Sequence, residues 1–136
     1  MKKITIIDDM GIPREYTYSV TKSMFDSLPV DQFDIRAKND HGVPYQIQIL
    51  DLGTEVKVLF QHNNGNPAVS KKNIFGGMLP ELYAFYNKPI ISSSFLYPTV
   101  PNERRIPATA GKMYNKLLGR GIVFIDQTRD IFYYKN

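Results

Sequence analysis

At 136 residues the chain suits one domain, and a domain of that size buries roughly two-thirds of the surface its unfolded form exposes, enough for a core without staples. It has no cysteine and only His41 and His62 as soft ligands, which excludes disulfides and thiolate metal sites and leaves no metal-binding motif. Seventeen basic against thirteen acidic residues give a formal charge of +4 and a pI near 9.2. That excess is modest and gathers at Lys71-Lys72, Arg104-Arg105 and Lys112 to Arg120, where either a solvated surface or phosphate binding accounts for it.

No apolar run approaches the ~20 residues that span a bilayer, and the start MKKITIIDD turns acidic before a signal peptide's apolar region forms. A cytoplasmic protein with no membrane partner is the expectation. The first β-branched run, Lys3 to Asp8, predicts a strand that stops at Gly11-Ile12-Pro13. Val20, Met24 and Leu28 recur every fourth residue before Pro29, which predicts a short amphipathic helix over Ser19 to Leu28. Phe33 to Lys38 alternates apolar with polar and predicts the second strand, closed by Asn39-Asp40-His41-Gly42.

The clearest local signal follows. Tyr45, Ile47 and Ile49 alternate with Gln46 and Gln48; Asp51-Leu52-Gly53-Thr54 then turns the chain into Val56, Val58 and Phe60, which alternate with Glu55 and Lys57. An antiparallel hairpin of Pro44 to Leu50 with Thr54 to His62 is predicted. From His62 to Phe75 periodicity vanishes, and Asn63 to Pro67 is a cluster of breakers, so a long loop of the functional kind is expected. A helix is predicted from near Gly77, with Pro80 in its first turn and Leu79, Leu82, Tyr83 and Tyr86 on one face. Pro89 to Ser93 predicts a strand. After a Pro-rich connection, Ala110, Met113, Tyr114, Leu117 and Leu118 predict a helix over Pro107 to Gly119. Two closing strands are expected at Ile122 to Asp126 and Ile131 to Tyr134.

These elements give the order β-α-β-β-β-α-β-α-β-β. The fold class that follows is α+β, a single mixed and mostly antiparallel sheet flanked by helices in one domain over residues 1–136. From Thr54 to Ile125 the succession strand, glycine-punctuated turn, helix, strand and helix resembles the cofactor-binding half of the GCN5-related N-acetyltransferases. In that family a basic residue and two glycines precede a helix whose backbone N–H groups hold the pyrophosphate of acetyl-CoA, an arrangement favoured by the helix dipole and by the absence of a Cβ. Here Lys71 takes the basic position, Ile74 the place of the first glycine and Gly76 that of the second. The resemblance also implies acetyl-CoA as a substrate, no metal, and contacts from Leu59, Lys71, Lys72, Phe75, Gly76, Gly77 and Met78. Gly76-Gly77 reads equally as a simple turn into the helix.

Family members often carry an A-x-x-x-Y pattern whose tyrosine protonates the departing coenzyme A thiolate, and Ala110 to Tyr114 matches it. A phenol of ordinary pKa ~10 holds its proton at neutral pH, as that role requires. Tyr114 also reads as a core aromatic at helical spacing. Glu55 and His62 are the candidate bases, and Ser92, Ser93 and Ser94 are candidates to position a water. No Ser-His-Asp set, Walker loop or carboxylate cluster is present.

Three functional readings result. The first is an acetyl-CoA-dependent N-acetyltransferase acting on an amine. The second, from a different class, is a catalytically inactive protein of the same fold used as a binding module, for example against a host factor; short, motif-poor copies of the fold resemble those of tailed bacteriophages. The third is a basic nucleic-acid-binding domain, against which no helix-turn-helix precedes the final hairpin.

Overall fold

The computed structural model describes residues 1–99, 101–103 and 107–136. Eight strands form one curled, mixed sheet with two helices, an α+β architecture. Strands β1 (Lys2–Ile7), β2 (Pro13–Phe25), β3 (Leu28–Ala37), β4 (Tyr45–Asp51) and β5 (Val56–His62) form an antiparallel meander. Helix α1 (Ile74–Tyr86) then returns the chain to β6 (Ile90–Ser92), which lies parallel to β5. A π-helical turn at Pro107–Gly111 runs into α2 (Lys112–Gly119), and the hairpin of β7 (Phe124–Asp126) and β8 (Ile131–Tyr134) adds β8 beside β6 and β7 at the edge. Among the described residues no helix is long and apolar enough to cross a membrane.

The predicted helix over Ser19 to Leu28 does not exist. That segment completes β2, pairs with β3 from Tyr16↔Ala37 to Phe25↔Leu28, and turns through Asp26 and Ser27, both at positive φ. The physical reason lies in the period. Val20 and Met24 stand four apart, which fits one helix face and equally fits one face of a strand, where every even interval returns to the same side, and Leu28 lies beyond the turn on β3. Ten paired residues decide for the strand. The observed order is therefore β-β-β-β-β-α-β-α-β-β, without the early helix. The other strands lie within two residues of expectation at either end, except β3, which starts five residues earlier at Leu28.

The core lies on the sheet face that meets both helices. Tyr16, Phe33, Ile35, Ile47, Ile49, Val56 and Val58 from the strands pack with Phe75, Met78, Leu79 and Leu82 of α1 and Tyr114 and Leu117 of α2. Helix α1 begins at Ile74, three residues before the predicted start, so Pro80 sits in its second turn and leaves the Gly76 carbonyl without an intrahelical donor. Its glycines allow close approach. A Cβ on Gly77 would stand 2.8 Å from Ile6 Cγ1 and 3.0 Å from Ile6 Cβ, with Cγ2 nearer still; one on Gly76 would meet the Asn73 side chain and Leu117 Cδ2 at 3.0 Å. Helix packing on β1 and α2 thus suffices to explain both glycines.

On the other face, Gln32, Asp34, Gln46 and Gln48 link side chain to side chain across β3 and β4, a solvated surface of the kind antiparallel sheets carry. The alternation of β5 fails at its centre, where Val56, Lys57, Val58 and Leu59 are all buried. The connection after β6 covers that second face: Lys57 Nζ donates to Thr99 Oγ1 and Glu103 Oε1, both at 2.9 Å.

Candidate functional site

The parallel pair β5 and β6 holds together for three residues only, Val56↔Ile90, Lys57↔Ile91 and Val58↔Ser92. Beyond that point β5 continues along β4 to His62 while the chain after Ser92 turns away. The Ser93 hydroxyl donates to the Val58 carbonyl at 2.7 Å and so closes the ladder where the strands part. Opposite the gap, the β4–β5 register shifts between Gln48 and Ile49, so that Gln48 faces Phe60, Ile49 faces Val58, and Leu59 is the extra, bulged residue. A bulge leaves its residue out of the ladder and re-aims the strand.

The parting opens a cavity of about 280 Å³ lined by Val58, Leu59, Phe60, Gln61, Ser93, Asn102, Glu103, Thr109, Ala110 and Tyr114. Tyr114 is buried, with its ring stacked on Phe132 (centroids 5.2 Å apart, 8° between planes) and edge-on to Phe75 at 5.4 Å. It is thus both a core aromatic and a wall of the cavity. Glu103 is buried against Lys57 through Oε1, and its Oε2 has no hydrogen-bond partner among the described residues.

A second hollow of about 340 Å³ lies at the start of α1, bordered by Asp9, Asn63, Lys71, Lys72, Asn73, Gly76, Lys112 and Lys116 among others. Asn73, in the left-handed region at φ 60°, makes no side-chain cap, because its amide donates to the Ile7 carbonyl at 3.0 Å. Gly77 N–H bonds the Asn73 carbonyl, while Ile74, Phe75 and Gly76 stand in the turn whose N–H groups have no intrahelical acceptor. No acidic residue lies in this first turn. Uncapped donors, the dipole and adjoining lysines make the hollow favourable to an anion. Asp9, on the border of the hollow, pairs with Lys116 and Arg120, which hold its carboxyl below the usual carboxylate range. The two hollows share Thr109 as a wall.

The residues singled out from sequence divide accordingly. Leu59 and Tyr114 line the first cavity, and Lys71, Lys72, Phe75 and Gly76 the second. Ile74, in the place of a glycine, is buried in the core and also borders the second hollow. Met78 is fully buried and Gly77 faces Ile6, so neither borders a hollow. Glu55 does not meet Tyr114: it forms a two-pronged ion pair with Arg129 and lines a separate surface hollow near the final hairpin. His62 is exposed beyond the cavity, its Nδ1 accepting from Asn64 N–H at 2.8 Å. All three serine hydroxyls have structural partners: Ser92 donates to the Ser93 carbonyl and accepts from Phe132 N–H, Ser93 donates to Val58, and Ser94 donates to Asp130.

Glu103 is the site residue that sequence reasoning missed. It lies in an aperiodic, Pro-rich connection, and the one signal for it was Lys57, a cation in the middle of an otherwise apolar strand that needs a buried partner. Among the described residues no group of three or more potential ligands is placed to hold a metal ion. No family model, no curated protein and no solved structure matches this chain.

Proposed function

We propose that the protein is an acyl-coenzyme A-dependent N-acetyltransferase that transfers an acetyl group to an amine. The observation that carries this reading is the parting of the parallel strands β5 and β6 beside Tyr114, next to an uncapped, lysine-bordered helix start. The pyrophosphate of acetyl-CoA suits the N–H groups at the start of α1, with Lys71 and Lys72 adding charge. The slender arm then passes Thr109 towards the bulge at Leu59.

The amine nitrogen bonds to the thioester carbonyl carbon as the carbon–sulfur bond breaks. The departing sulfur takes the phenolic proton of Tyr114, and the proton lost by the amine restores the phenol, so the products are an amide and free coenzyme A. The testing experiment is thiol release from acetyl-CoA with a panel of amines. Tyr114→Phe should lower turnover by roughly 10²-fold while leaving acetyl-CoA affinity nearly unchanged. Unchanged turnover in Tyr114→Phe, or no amine that supports thiol release, argues against the reading.

One observation favours the binding-module alternative. Phe95, Leu96 and Tyr97 are successive and solvent-facing, 36, 61 and 64% exposed. They are strapped to the final hairpin by Asp130, whose Oδ2 accepts from Phe95 and Leu96 N–H at 2.9 Å. A protein that binds a partner through this turn loses that partner on Leu96→Asp and retains any acetyl-CoA affinity.

A further inference from the structure

We propose that β7, a free edge of the sheet, pairs with the β7 of a second copy of this chain in a two-fold antiparallel dimer, an interaction surface independent of acyl transfer. An open sheet of eight strands has two edges, β1 and β7, and the two meet solvent differently. β1 begins with Lys2 and Lys3, charges of the kind that keep an edge from pairing. β7 has no basic residue among its three, and it exposes Phe124 at 46% on one face of the sheet and Ile125 at 44% on the other. Large apolar side chains open on both faces make an edge strand a template for another strand. The backbone of β7 is open as well. Phe132 N–H donates to Ser92 Oγ at 2.9 Å, so Phe132 directs its backbone groups towards β6. Its neighbours Ile131 and Tyr133 therefore direct theirs towards β7, where they form the hydrogen-bonded pairs with Asp126 and Phe124. Ile125 stands opposite Phe132, so its own N–H and C=O point away from β8 to the free edge.

The placement of those groups and side chains selects the occupant. A two-fold axis at Ile125 lets the Ile125 N–H of each copy donate to the Ile125 C=O of the other, which uses both outward groups. The two Ile125 side chains then lie directly opposite each other on one face. On the other face, Phe124 stands opposite Asp126 of the second copy and diagonal to its Phe124, at roughly 7–8 Å, a separation that aromatic side chains span. Each exposed apolar residue of β7 is thus covered by its own copy. Asp126 leaves the seam to them, since its carboxylate turns back to accept from Arg129 N–H at 3.2 Å. Two strands of three residues, with two apolar side chains each, make an interface below ~1,200 Å² in total, the size of transient encounters. The dimer should therefore form and part with concentration.

The test is sedimentation equilibrium of the full chain from micromolar to millimolar concentration, with amide hydrogen exchange of the ¹⁵N-labelled protein at both ends of that range. The average mass should climb from 15.6 kDa towards twice that value. Ile125 N–H should exchange several-fold more slowly at the higher concentration, whereas Phe124 N–H, already bonded within the hairpin, should not change. Ile125→Pro removes the outward donor at an edge position, where proline is tolerated, and it should hold the chain at one copy with its circular dichroism unchanged. Phe124→Lys serves as the second variant if that one fails to fold. A single-chain mass at millimolar concentration overturns the proposal and leaves the edge to a strand of a different protein. A dimer whose Ile125 exchange does not change, or one that survives in both variants, places the contact elsewhere and overturns it equally.

Discussion

Gly77→Ala discriminates between two uses of the glycine pair, packing and phosphate recognition. The added methyl meets Ile6 Cγ1 at 2.8 Å and Cβ at 3.0 Å, with Cγ2 nearer still; Cβ is fixed to the β1 backbone, so no flexible tip can swing aside. Overpacking of this kind costs about 1–3 kcal/mol, while alanine in place of glycine inside a helix returns about 1 kcal/mol. With three atoms of a branched side chain in the way, the net expectation is a loss of about 1–2 kcal/mol, several degrees in melting temperature for a domain this size. Urea unfolding followed by far-ultraviolet circular dichroism measures it. Ile6→Ala removes Cγ1 and Cγ2, so in the Ile6→Ala/Gly77→Ala protein the two losses should sum to less than their separate values. Gly77 borders neither hollow, so acetyl-CoA affinity should be unchanged. A Gly77→Ala protein as stable as the wild type, or one that keeps its stability and loses acetyl-CoA, refutes the packing argument.

Other expectations follow from the same structure. Lys57→Met and Glu103→Leu should each destabilise by about 3–5 kcal/mol in denaturant titration, because each strands a buried charge, whereas the double variant should recover most of the loss. Burial drives the Tyr45 phenol well above its ordinary range, and burial together with a hydrogen bond to Asp31 does the same for Tyr86. A raised folded-state value contributes stability that is intact below the unfolded value near ~10 and lost as pH climbs through the folded one, so melting temperature should fall above about pH 10. At the β2–β3 turn, Asp26 and Ser27 both hold positive φ, and Asp26→Asn with Ser27→Gly should raise stability by about 0.5–1 kcal/mol in the same titration.

How far the sequence discloses this structure depends on which period each segment carries. The β4–β5 hairpin is legible because strict alternation admits no helix. The β2 strand is not, since spacing by four serves both periods and the deciding factor is pairing with β1 and β3, which no local window contains. Tyr114 is singled out by the Ala110-x-x-x-Tyr114 pattern, while its place on a helical face reads as a core aromatic. Glu55 precedes β5 and His62 ends it, so neither lies where β6 departs from that strand. Glu103 is hidden in a connection without periodicity, and only the fold reveals that this connection crosses Lys57.

Isothermal titration of acetyl-CoA into the wild-type chain and into Lys71→Ala/Lys72→Ala tests the central claim most directly. If the start of α1 holds the pyrophosphate, the wild-type protein should bind, and the double variant should bind roughly ten- to a hundred-fold more weakly, the loss of a charge-assisted contact. No heat and no thermal stabilisation of the wild-type chain at millimolar acetyl-CoA, or equal affinity in both proteins, contradicts it.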